Sequence, residues 1–127
     1  MKIIIDTNLL MAIGQFKVDI FRELDRIITE KYELCIIDRT IDELKKIKEN
    51  QKGKHKTAAK LALAIVKSKQ PKIIKSKEDK SVDDLIVDLA KKEKIAVATQ
   101  DKELKKKLKE NKAKIIVLRQ KRYLVLD

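Results

Sequence analysis

Apolar residues along this chain fall into two alternating rhythms. Short runs at Lys2 to Ile5, Leu34 to Ile37, Ile95 to Ala98 and Ile115 to Leu118 have the length and branched-chain content of strands buried on both faces. Lys72 to Ile74 is a weaker version of the same signal. Between the runs the spacing becomes helical. Phe21, Leu24, Ile27 and Ile28 share one face of a helix expected over Val18 to Thr29. Thr40-Ile41-Asp42-Glu43 matches a capping box, which predicts a helix starting near Ile41, carrying Leu44 and Ile47 inward and ending by Gly53. The stretch Thr57 to Ser68 is the most apolar helical segment and is expected to be well buried, with Gln70-Pro71 as its stop. Ser81 caps a further helix to about Lys92, and Asp101 caps a last one over Lys102 to Glu110. Strands alternating with helices predict an α/β fold with a parallel sheet of about five strands.

Composition narrows the class. The 127 residues suit one domain spanning residues 1–127, and with only 2 Gly and 1 Pro there is little room for linkers. No apolar stretch approaches the roughly 18 residues of a membrane span, and the N-terminus lacks the apolar core of a leader, so a cytoplasmic protein with no membrane partner is expected. Cys35 lies in an apolar run and has no partner for an internal disulfide. With His55 as the sole histidine, a zinc centre or a Ser/His/Asp triad is disfavoured.

Charge then adds a ligand. The net +12 is concentrated: residues 44–80 carry 13 lysines against Glu49, Glu78 and Asp79, and residues 102–122 carry 10 Lys or Arg against Glu103 and Glu110. The intervening segments are net acidic. Basic blocks of this kind are the footprint of a phosphate-backbone binder, with Lys45, Lys46, Lys52, Lys54, Lys56, Arg119, Lys121 and Arg122 as candidate RNA contacts. A lysine-rich solvated surface is the plain alternative. With aromatic residues at 3%, recognition should rest on phosphates and shape rather than an aromatic stacking platform.

The acidic positions supply candidate chemistry. Asp6, Glu43, Asp83 and Asp101 each fall at a strand's carboxyl end or at the start of the next helix, where the ligand crevice of an open α/β sheet lies. Each also has a structural reading: Asp6-Thr7-Asn8 as turn formers, Glu43 closing a capping box, Asp83 and Asp84 favouring a helix N-terminus, Asp101 as an N-cap. On the helix after Ser81, Asp83 borders the apolar stripe while Asp84 points away, which makes Asp83 the better ligand and Asp84 a supporting, capping residue. Carboxylates gathered in one crevice repel unless a cation joins them. An all-oxygen set suits Mg²⁺ or Mn²⁺, and basic flanks beside such an ion suggest phosphodiester hydrolysis. No glycine-rich phosphate loop is present, which disfavours an NTPase or dinucleotide enzyme.

In order and spacing, Ile-Ile-Asp6-Thr7-Asn8, Glu43 near a helix start, Val82-Asp83-Asp84-Leu85-Ile86-Val87 and Val97-Ala98-Thr99-Gln100-Asp101 resemble the motif set of the PIN-domain nucleases across the whole chain. The segment Ile115 to Leu124 resembles the branch containing the eukaryotic small-subunit pre-rRNA processing nuclease; VapC-type toxins are the nearest alternative. The resemblance implies a three-layer PIN-like α/β fold, a central parallel sheet of about five strands flanked by helices, and an endoribonuclease in which Asp6, Glu43, Asp83 and Asp101 bind Mg²⁺ or Mn²⁺ and cleave single-stranded RNA, with Asn8 and Thr99 as polar supports. Gln100 departs from the Asn common in the family. The implied partner is pre-rRNA or other single-stranded RNA, with a homodimer or a protein partner left open. Two readings compete. A phosphoacceptor receiver domain would need an acidic pair after its first strand and a lysine ending its last, where this chain has Asp6-Thr7-Asn8 and Arg119. A non-catalytic RNA-binding scaffold would keep the same residues.

Overall fold

Each apolar run expected to be a strand forms one. A computed structural model describes residues 1–127 as β1 (Lys2–Ile5), α1 (Thr7–Phe16), α2 (Ile20–Ile27), β2 (Glu33–Ile37), α3 (Asp38–Asn50), α4 (Lys54–Lys69), β3 (Lys72–Ile74), α5 (Val82–Lys92), β4 (Ile95–Ala98), α6 (Lys102–Glu110), β5 (Lys114–Arg119) and β6 (Tyr123–Leu126). The sheet order is β3-β2-β1-β4-β5-β6, parallel except for β6. Chain progression reverses between β1 and β4, so a topological switch point lies where Ile5 pairs with Ala98.

Strand alternation divides the core into two layers. Ile3, Ile5, Ile36, Ala98 and Ile116 pack with apolar residues of α1 to α4, while Ile4, Cys35, Ile37, Val97 and Ile115 pack with α5 and α6. The result is the expected three-layer α/β fold, in which parallel strands are covered on both faces. At the crossing of α1 and α4, Gly14 is required sterically: a Cβ there would lie 2.5 Å from the Ala58 carbonyl oxygen. No helix is long and apolar enough to cross a membrane.

Four expectations are corrected. The sheet has six strands, because β5 and β6 form a hairpin whose turn residues Gln120 and Lys121 take φ of 50° and 57°. Such a turn normally announces itself with Gly or Asn, and this one does not. α2 covers β6: Glu23 accepts from the Leu124 N–H at 2.9 Å and Arg26 donates to the Leu124 carbonyl at 2.7 Å, which satisfies the backbone of an edge strand.

The helix α1 was absent from the apolar periodicity, because Leu9 to Ile13 is a continuous apolar run ended by glycine. The capping box does not form: α3 starts at Asp38, and Thr40 is an interior helical residue with its hydroxyl buried against Thr7. Finally, α4 is only half-buried. Ala58, Ala59 and Ala62 pack inward, whereas Leu61 is 37% exposed.

Candidate active site

The switch point at the sheet's carboxyl edge is built around Asp6. Its backbone N–H donates to Ala98 at 2.9 Å, extending the β1–β4 ladder by one residue. Its Oδ1 then caps α1 by accepting from Thr7 N at 2.8 Å, while Oδ2 accepts from the Thr99 hydroxyl at 2.9 Å. Thr99 is fully buried, and its hydroxyl oxygen also accepts from Asp101 N at 3.0 Å. One threonine therefore ties two candidate carboxylates together across the switch point. Asp101 caps α6 through Oδ1, from Glu103 N at 2.9 Å and Leu104 N at 3.2 Å, and Oδ2 takes no hydrogen bond from the protein. The capping role read from the sequence is real and leaves half of the carboxylate free.

Asp83 stands in the first turn of α5, half-buried and without a hydrogen bond or ion pair, and Ser81 caps that helix through Asp84 N at 3.1 Å. Asp84 itself is exposed, 3.9 Å from Lys107. The preceding loop is clamped to α3: Asp38 accepts from Ser76 N at 3.1 Å, and the Arg39 guanidinium donates to the carbonyls of Lys77 at 2.9 Å and Lys80 at 3.3 Å. Hydrogen bonding from Ser76 is the main reason that the Asp38 carboxyl is held below its ordinary range. Glu43 lies one turn beyond Thr40, whose buried hydroxyl meets that of Thr7 at 3.1 Å, so α3 is pinned beside Asp6.

The electrostatics follow from this crowding. The carboxyl of Asp6 is pushed up chiefly by burial, with Asp101 adding to the rise and the Thr99 and Thr7 hydrogen bonds opposing it. Desolvation and then the Asp6 charge push Glu43 up, against Thr7, Lys46 and Arg39. Asp83 is raised by desolvation and then by Asp101, with Asp6 contributing and Lys107 opposing. Each of the three is thus less willing to ionise partly because another member of the quartet is near.

No three His, Cys, Asp or Glu side chains are grouped closely enough to chelate one ion together. The donors are nonetheless all oxygen and mutually repelling, which fits a hard divalent cation held by one or two carboxylates and otherwise by water. The structure links Asp6, Thr99 and Asp101 by hydrogen bonds and places Glu43 and Asp83 near enough to feel the charge of Asp6. Asn8 is separate: it is exposed, makes no hydrogen bond to the carboxylates and lines a neighbouring groove.

Lys45, Lys46, Lys52, Lys54 and Lys56 are exposed on α3 and the α3–α4 elbow, and none forms an ion pair. The C-terminal basic residues are more engaged. Arg119 lies 3.5 Å from Asp127, Lys121 stands over the Phe16 ring at 5.2 Å, and Arg122 donates to Gln120 at 3.2 Å. Sequence reasoning missed the Thr7–Thr40 pair and the Asp38–Arg39 clamp, since both depend on long-range contacts with no local pattern. Gln100 also has a defined task, pairing with both the N–H and the carbonyl of Leu118 at 2.9 and 3.0 Å.

Comparison with known proteins agrees with this architecture. A family model described as a PIN-like domain matches residues 3–121. Ribonuclease VapC4 of Methanocaldococcus jannaschii is 38% identical over 125 residues, covering 96% of this chain and 93% of its own. The structure of the PIN domain endonuclease Utp24 superposes with a TM-score of 0.79 at 26% identity, over 99% of this chain and 90% of that one.

Proposed function

The chain belongs to the PIN-like domain family, and from that membership we propose that it is a Mg²⁺- or Mn²⁺-dependent endoribonuclease acting on single-stranded RNA at the Asp6 crevice. The supporting observation is the electrostatic one: Asp6, Glu43 and Asp83 all resist ionisation, with other members of the quartet among the causes, and none of the four carboxylates has an ion-pair partner. That arrangement is costly for the fold and useful for a cation. Asp6, Glu43, Asp83 and Asp101 would surround it, one or two of them as direct ligands and the others through water, and when bound it supplies positive charge that neutralises the quartet and withdraws electron density from a phosphodiester.

The remaining residues position. Thr99 fixes Asp6 and Asp101 relative to each other, and the capping bonds hold Asp101 Oδ1 so that Oδ2 faces outward. Asp83, free of hydrogen bonds, is the member able to adjust. The unpaired lysines of α3 and the elbow would hold the RNA backbone by displacing its counterions. A role in rRNA maturation rests on the resemblance of Ile115 to Leu124 to the pre-rRNA processing branch of the family and on the basic residues Arg119, Lys121 and Arg122 of the C-terminal hairpin. A VapC-type toxin role is the second reading, supported by the 38% identity with ribonuclease VapC4. Growth arrest on expression, relieved by a small co-encoded protein, would decide for the toxin.

The test incubates single-stranded and structured RNA with the protein in Mn²⁺, Mg²⁺ or EDTA, beside Asp6→Asn and Asp83→Asn. Internal cleavage that needs the metal and is lost in both variants is expected; cleavage that survives both substitutions sinks the reading. Salt-sensitive binding without cleavage in any metal would leave an RNA-binding scaffold.

A further inference from the structure

Beside the carboxylate crevice runs a groove of about 430 Å³ between α1 and the α3–α4 elbow. One wall is a single face of α1, formed by Asn8, Met11, Ala12 and Gln15. The other is Ile47 of α3, Gln51 and His55. Its near end is two residues from Asp6, and Asn8 to Gln15 spans about 10 Å of helix.

Two features set this groove apart from the rest of the surface. In a chain whose residues are 41% charged, none of its lining residues is Asp, Glu, Lys or Arg. Its hydrogen-bonding capacity is also unused. The chain has eight amide side chains, of which Gln100, Asn111 and Gln120 bond within the protein; three of the other five, Asn8, Gln15 and Gln51, face this groove. An amide offers a donor and an acceptor side by side, the pattern that matches the edge of a nucleobase. The thioether of Met11 and the ring of His55 add polarisable surface for a flat ligand in a chain almost without aromatics.

Resting on the ribonuclease reading of the neighbouring crevice, the geometry points to this groove as a nucleobase subsite that receives one unpaired base of single-stranded RNA next to the scissile phosphate. The ligand is neutral, with apolar faces and polar edges, as the lining combines Met11, Ala12 and Ile47 with amides. Phosphates on either side of that base would pass over the exposed, unpaired lysines Lys48, Lys52 and Lys54, which neighbour the lining residues Ile47, Gln51 and His55 in sequence without themselves lining the groove. Sequence preference then comes from Gln15 and Gln51, and cutting from the carboxylates.

The test scans abasic positions through a short labelled single-stranded RNA and measures binding by fluorescence anisotropy in EDTA, for the wild type and for Gln15→Ala/Gln51→Ala. Both glutamines are exposed, and circular dichroism confirms that the variant is folded. The expected result is one position whose abasic form binds the wild type about tenfold more weakly, with that sensitivity gone in the variant. Identical scan profiles for the two proteins overturn the subsite. If the profile changes as expected but no metal supports cleavage, the subsite stands and the ribonuclease reading falls. Metal-dependent cleavage with unchanged profiles gives the reverse, and failure of the wild type to bind the RNA overturns the subsite.

Discussion

At the amino edge of the sheet, Glu93 lies 2.9 Å from Lys2 and Glu30 lies 2.9 Å from Lys94, while Tyr32 donates to Asp25 at 2.7 Å. At the carboxyl edge, Asp6, Glu43, Asp83 and Asp101 have no lysine or arginine within ion-pair distance and face one another instead. The consequences for titration are opposite. Lys94 holds the Glu30 carboxyl below its usual value, whereas burial and like charge push Asp6 and Asp83 up. With 32 basic residues available, the chain could have paired the carboxyl edge as it pairs the amino edge. Carboxylates left unpaired in a protein of net charge +12 are the observation on which the proposed cation site rests.

Exchanging charge at the two edges should have the most unequal effects. Asp6→Asn is expected to lower metal-dependent RNA cleavage by about 100-fold or more, equivalent to the several kcal/mol that a bound ion contributes. Its thermal midpoint should stay level or rise at neutral pH, because Asn caps a helix as well as Asp and the buried charge is removed. Glu93→Gln at the amino edge should leave cleavage unchanged and the midpoint within experimental scatter. Loss of activity in both variants, measured by the same cleavage and melting assays, would erase the distinction.

Thr99→Val is expected to be next in size. The substitution keeps the shape but removes the hydroxyl that donates to Asp6 and accepts from Asp101 N, leaving buried polar groups unpaired at a cost of ~1–3 kcal/mol. Cleavage should fall by about 10- to 100-fold through lost positioning. Denaturant unfolding together with the cleavage assay tests this, and a stable, fully active variant contradicts it.

Metal addition should give the smaller, reversible shift. For Asp6, Glu43 and Asp83 the folded value lies above the unfolded one, so their contribution to stability is present below the ordinary values of 3.8 and 4.5 and is lost as pH rises through the raised values. Glu30 has the opposite sign: its contribution is present above 4.5 and is lost as pH falls through its lowered value. Mn²⁺ should therefore stabilise the protein at neutral pH, by about 2.7 kcal/mol at a hundredfold excess over Kd, and progressively less toward acid as Asp6, Glu43 and Asp83 protonate. Differential scanning fluorimetry across pH measures the increment; an increment that does not change with pH would be inconsistent with carboxylate ligands.

Much of this contrast was legible in the chain. β1 and β4 run from Lys2 and Ile95 as expected, since strands buried on both faces are written as plain apolar runs, and the exposed edge strand β3 carries the weaker version of that signal from Lys72. Asp6, Asp83 and Asp101 stand at the strand end and helix starts expected of them, because strand ends and caps are local patterns. The roles of Thr7, Thr40 and Asp38 are not written locally, because each acts through a residue more than thirty positions away. Thr40 misled in a specific way: a threonine three residues before a glutamate has the local pattern of a cap, and only the approach of α1 turns its hydroxyl into a buried strut. The hairpin to β6 was hidden because Gln120 and Lys121 adopt left-handed turn geometry without the residues that favour it.

The most direct test is paramagnetic broadening of backbone amide signals by substoichiometric Mn²⁺, which reports on both edges in one NMR experiment. Selective loss of signals from Thr7, Asp83, Asp84 and Gln100 to Lys102, with Lys2, Tyr32 and Lys94 preserved, is the result expected of a cation site at the carboxyl edge. Uniform broadening, or broadening centred on the amino edge, would contradict it.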